Sequence, residues 1–188
     1  MISLLFSVSI ADADVESVAF TYNTKLSDNL KLAYAIGHEV GYPETLQAIL
    51  MQETGGGVSE RVGNKNLPVG KRCYGLMQVQ VIAARSVFVR YPDVFNRYFP
   101  SRNYNNVMDE EIIALLLTND EANVRIAAYH FKIYITMTKG DWSRAVAGYN
   151  QGIGNALKLP NPSQVGYVQG VKHYLVAIVR PFNKAEQQ

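Results

Sequence analysis

Residues 46–57 read LQAILMQETGGG. Leu46, Ile49, Leu50 and Glu53 stand at i, i+3, i+4 and i+7, which places them on one face of a helix. Pro43 sits near the start of this helix, where its missing N–H costs nothing. The apolar face therefore ends on a carboxylate, and Gly55, Gly56 and Gly57 follow. Glycine accepts the left-handed conformation that stops a helix, and its lack of a side chain leaves the acid open to a groove. Three effects push the Glu53 pKa upwards. Partial burial disfavours the anion, and so does the partial negative charge of a helix C-terminus. No basic residue lies within four positions on either side to offset them. A carboxyl that keeps its proton near neutral pH is suited to general acid catalysis. Taken alone, the segment also fits a solvated glutamate at a helix end.

Outward from this stretch the pattern stays helical. Ser27 is placed to cap a helix carrying Leu32, Ala33, Ile36 and Val40. A glycine-rich loop is expected over 55–71, and a helix around Leu76–Val89. Pro92 and Pro100 break the stretch 91–106, which is rich in Tyr, Phe and Asn and reads as an irregular insertion. A short helix at 109–117 comes next. A longer one is capped by Asn119 or Asp120, with Val124, Ala127, Ala128, Phe131 and Ile135 in one stripe. Asp141 caps a helix whose face carries Trp142, Ala145, Val146 and Tyr149. A loop follows, and a final amphipathic helix spans 167–179. Strand signals are scarce, so the fold class is all-α or mainly α.

The 188 residues suit one domain, with its core at about 28–180 and residues 1–25 as an N-terminal extension. Hydrophobic residues make up 48% and charged residues 18%, which is the composition of a packed globule. The net charge of +2 comes with no Lys/Arg-rich run, so no nucleic acid partner is expected. Cys73 is the sole cysteine, which rules out an internal disulfide and a cysteine-based zinc site. No apolar run approaches the ~20 residues of a membrane span. Residues 2–11 resemble a short signal-type apolar region, and ADA a cleavage site, but the basic flank of a secretory signal is missing. A short docked element is the favoured reading. There is no HExxH, P-loop or GxSxG, and no metal or cofactor is expected.

Two further motifs bear on Glu53. YGLMQ (Tyr74–Gln78) follows the glycine-rich loop, and AGYNQGIG (Ala147–Gly154) closes the Trp142 helix. Gln78 and Asn150 offer amide donors and acceptors suited to sugar hydroxyl and acetamido groups. Tyr149 lies on an apolar face, where its hydroxyl needs a partner.

Glu53-Thr54, GLMQ, NVRIAAYHF (Asn123–Phe131), GYNQGIG and YVQGVKHY (Tyr167–Tyr174) resemble, in this order, the motifs of lytic transglycosylases of the soluble type, related to goose-type lysozyme. The resemblance covers roughly residues 30–174 and implies a lysozyme-like fold. It also implies cleavage of the MurNAc-β-1,4-GlcNAc bond of peptidoglycan glycan strands with 1,6-anhydromuramyl ends, in the periplasm or cell wall. Glu53 would be the single catalytic acid, and Tyr149 would hydrogen-bond and orient its carboxyl. Thr54, Met77, Gln78, Asn150 and Tyr167 would bind substrate or flank the groove. Thr54 replaces the usual serine, Gly148 an alanine, and His130 is the least conservative change in its helix.

A water-using muramidase is the nearest alternative. An inverting enzyme of that type needs a second carboxylate about 6.5–9.5 Å from the first, and the loop 55–74 offers only Glu60. The other alternative is a non-catalytic wall-binding component. The N-terminal pattern and the lack of a wall-anchoring module point to a phage virion or a secretion machine.

Overall fold

The computed structural model describes residues 24–57 and 62–188. The docked or signal-type element expected at the N-terminus, and Glu60, lie outside the described residues.

α1 (Thr24–Val40) buries Leu30, Ala33, Ile36 and Val40 and begins three residues before Ser27. Gly41, at φ 85°, turns the chain into α2 (Pro43–Thr54), with proline in the first turn. The two helices touch closely, since a Cβ on Gly37 would lie 2.4 Å from Pro43 Cα. Every residue from Thr45 to Met51 is buried, so α2 is wrapped on all sides. That burial encloses the polar Gln47 as well. Its Nε2 donates to Leu30 O (3.1 Å) and Asn183 Oδ1 (3.0 Å), and Asn183 Nδ2 donates back to Gln47 Oε1 (2.9 Å). This reciprocal amide pair fastens the C-terminus of the fold to its central helix.

A small antiparallel sheet follows, with β1 (Val62–Gly63), β2 (Cys73–Tyr74) and β3 (Val79–Gln80) in that order. Tyr74 pairs with Val62 on one side and Val79 on the other. GLMQ is thus the hairpin turn between β2 and β3, not the start of a helix. Gly75 (φ 77°) and Gln78 (φ 49°) are both left-handed, which a helix start cannot accommodate. The helix begins only at α3 (Val81–Arg90).

The expected irregular insertion is half helical. α4 (Pro92–Tyr98) uses Pro92 in its first turn, and Phe95 packs on Phe88 and Phe99 with ring centroids 5.5 and 5.4 Å apart. The proline read as a breaker is a helix starter. α5 (Asp109–Thr118) leads to α6 (Asp120–Met137), where Asn119 Oδ1 accepts from Ala122 N at 2.9 Å. α7 (Trp142–Gln151) is capped by Asp141, which accepts from Arg144 N at 2.9 Å, as expected. After the short α8 (Ile153–Ala156), α9 (Gly166–Tyr174) opens into a π-helical turn at 175–179 and continues as α10 (Arg180–Ala185). The domain is mainly α, with one apolar core running from Leu30 to Phe182. Among the described residues no helix is long and apolar enough to cross a membrane.

Candidate active site

Glu53 occupies the last turn of α2. Gly55 (φ 58°) ends the helix in the left-handed conformation, its N–H donating to Met51 O at 2.9 Å. The next two glycines have a tighter reason to be there than openness. A Cβ on Gly56 would lie 1.9 Å from Leu26 Cδ1, and one on Gly57 2.5 Å from Asn29 Nδ2. The chain leaves α2 pressed against α1, and Asn29 Nδ2 donates to Gly56 O (2.8 Å) to hold it there.

The Glu53 carboxyl faces a groove of about 590 Å³ and forms no ion pair among the described residues. Burial pushes its pKa from 4.5 up to about 7, and a hydrogen bond pulls part of the way back. The donor of that bond is Tyr167 in α9, whose hydroxyl lies 2.6 Å from Glu53 Oε1. Burial and then the Glu53 charge raise the Tyr167 pKa well above the usual phenol range, so this residue is a neutral donor.

The orienting contact expected from Tyr149 thus comes from Tyr167. Tyr149 donates to Met77 O at 2.8 Å. Its pKa too is raised well above the ordinary value, by burial and then by Glu53. Two tyrosines approach the acid from different helices, and periodicity alone could not show which hydroxyl reaches it.

Thr54 and Met77 are not placed to touch a sugar. Thr54 is 1% exposed, and its Oγ1 donates to Leu76 O (2.9 Å) and accepts from Gly57 N (3.0 Å). Met77 is 0% exposed and serves through its backbone, since its N–H donates to Asn123 Oδ1 at 2.8 Å. Both bind the GLMQ turn to the helices around it. Asn123, fully buried, completes that support by donating to Tyr74 O (2.8 Å) and Leu116 O (3.2 Å). Gly75 is required beside it, because a Cβ there would lie 2.1 Å from Asn123 Nδ2.

Gln78 and Asn150 do line the groove with Glu53. The left-handed backbone of Gln78 aims its amide back, with Nε2 donating to Gly75 O at 2.9 Å. The groove also holds residues that the sequence reading did not select: Cys73, Gln80, Tyr134 and Gln151. His130, noted earlier only as a replacement, belongs to the same wall. Burial lowers its pKa to about 4, so its ring is neutral, and it packs 4.4 Å from Tyr134. The available signal was His130, Ile133, Tyr134 and Met137 at i, i+3, i+4 and i+7, a second α6 stripe rotated from the core stripe. Among the described residues lining the groove, Glu53 is the only carboxylate. No group of three or more His, Cys, Asp or Glu among the described residues is placed to hold a metal ion.

A family model described as the Transglycosylase SLT domain matches residues 35–163. The match takes in Glu53, the GLMQ turn, Asn123 and the Tyr149–Asn150 pair, and ends before Tyr167. No curated protein and no solved structure matches the chain. With well over half of its length covered, the chain belongs to the transglycosylase SLT domain family, a lysozyme-like fold that acts on peptidoglycan.

Proposed function

We propose that this domain cleaves the MurNAc-β-1,4-GlcNAc bond of peptidoglycan and leaves 1,6-anhydromuramyl ends, with Glu53 as both acid and base. The observation that carries the reading is the Glu53 carboxyl, the one carboxylate among the described residues lining the groove, partly buried, with its pKa pushed up to about 7 and held by Tyr167. Near neutral pH a large share of the protein carries the protonated acid.

Protonated Glu53 gives its proton to the glycosidic oxygen as the C1–O bond breaks, and GlcNAc leaves with a free C4 hydroxyl. The muramyl acetamido group supports the developing oxocarbenium ion. Ionised Glu53 then takes the proton of the C6 hydroxyl as that oxygen bonds to C1. The acid is regenerated and water is not consumed, so no second carboxylate is called for. Tyr167 fixes the carboxyl and stabilises its anionic form between the two proton transfers. Tyr149 acts through the GLMQ turn and holds Gln78 in the wall. Gln78 and Asn150 supply amide groups to the sugars.

Purified cell wall digested by the wild type, with mass spectrometry of the fragments, tests this reading. Anhydromuramyl ends are expected, and Glu53→Gln should lower their rate of formation about 10²–10⁴-fold. Reducing muramyl ends would show a hydrolase, and full activity in Glu53→Gln would show that another acid is used.

A further inference from the structure

The groove has two chemically different arms. Around Glu53 its walls are amides and phenols, from Gln78, Tyr149 and Asn150. The rest of the lining comes largely from α3 and α6, which pack on each other, with Ile82, Ala83, Ser86 and Arg90 from the first and Ile133 and Met137 from the second. Ile82, Ser86 and Arg90 are spaced i, i+4 and i+8, one stripe along the whole of α3. Ile82 is 70% exposed and Met137 42%. Large apolar side chains left open inside a groove gain by being covered. At the far end Arg90 is exposed and forms no ion pair among the described residues. The arm therefore presents an aliphatic channel that ends in a guanidinium with no ion-pair partner among the described residues.

A sugar is a poor match for such walls, since it needs amide partners and a flat ring to lie on. An extended segment with small aliphatic groups and a carboxylate matches them. Arg90 lies eight steps along the helix from Ile82, a rise of about 12 Å, which about four extended residues span. The geometry points to the α3–α6 arm as a subsite for the short anionic peptide carried on the glycan strand, with Arg90 pairing with one of its carboxylates. This rests on peptidoglycan as substrate and adds a determinant of which strands are bound and cut. Arg90 reads the peptide, and the chemistry stays with Glu53.

The test compares two substrates, peptide-bearing strands and strands stripped of peptide by an amidase. Arg90→Gln should lower kcat/KM on peptide-bearing strands about tenfold, mainly through KM, the scale of one charge-assisted contact. The preference for peptide-bearing over stripped strands should fall towards one. Arg90→Lys should recover part of it, and amidating the peptide carboxyls should make the wild type behave like Arg90→Gln. Binding is read separately, by fluorescence polarisation of a labelled peptide-bearing muropeptide. The dissociation constant should be about tenfold weaker for Glu53→Gln/Arg90→Gln than for Glu53→Gln alone. The unfolding temperature of Arg90→Gln should equal that of the wild type. Equal losses on both substrates would put a sugar in this arm and overturn the proposal, as would an unchanged dissociation constant. Absence of anhydromuramyl product from the wild type would instead refute the proposed reaction, and the binding comparison would still decide the role of Arg90.

Discussion

Glu53→Gln should make the protein more stable at alkaline pH, and the gain should vanish in acid. In the unfolded chain Glu53 titrates near its ordinary value of 4.5, and in the native state near 7. Between those values the native state holds a proton that the unfolded state has released. Native stability therefore falls as pH rises from 4.5 to 7 and then levels off. The rise in pKa is worth about 3 kcal/mol at about 1.36 kcal/mol per pH unit. Glutamine has the shape of the protonated acid and still offers an oxygen to the Tyr167 hydroxyl, so the substitution removes only the buried charge. At pH 8.5 the variant should be more stable than the wild type by about 3 kcal/mol, a rise in Tm of about 6–12 °C for a domain of this size. At pH 4 the two should unfold together. Urea or thermal unfolding of both proteins from pH 4 to 9 measures the gap directly. A difference constant across that range, or a less stable variant at pH 8.5, would show that Glu53 is not a buried acid with a raised pKa.

Removing the hydroxyl in Tyr167→Phe takes away the one hydrogen bond among the described residues that favours ionised Glu53. The Glu53 pKa should rise above 7, and the alkaline limb of the pH–rate profile should move up by about one pH unit with a lower kcat. Tyr149→Phe should leave that limb in place and cost about 1–2 kcal/mol of stability in urea unfolding, because Met77 O loses its donor. Gly75→Ala should cost about 3 kcal/mol or more in the same assay, since the new Cβ meets Asn123 and Leu116 O at a left-handed φ of 77°.

The helices were legible where sequence and burial share a period. The Asn119 and Asp141 caps and the α6 and α7 stripes stand in the chain as written, whereas α2 is buried on every side and its apolar face is only part of what it covers. GLMQ was misread because its conformation is set from outside. Asn123 lies 46 residues from Met77, and only their meeting shows why Gly75 must be glycine. Pro92 was misread because the same residue breaks a helix interior and starts a helix.

The candidate site divides along similar lines. The position of Glu53 on the groove was legible because it continues an apolar stripe, and Gln78 and Asn150, expected beside it, line the same groove. The tyrosine roles were not legible. Tyr167 reaches Glu53 across 114 residues, and no local spacing records that contact. Thr54 and Met77 stand next to groove residues in the sequence but face the interior. The α3–α6 arm was hidden because nothing in the sequence marks Ile82 and Met137 as exposed among the apolar residues of their helices.

In the proposed reaction the sugar's own C6 hydroxyl, not water, attacks C1. Digestion of purified peptidoglycan in oxygen-18-labelled water tests it most directly. Anhydromuramyl ends carrying no label are predicted. Labelled oxygen at C1 of reducing muramyl ends would show that water is the nucleophile.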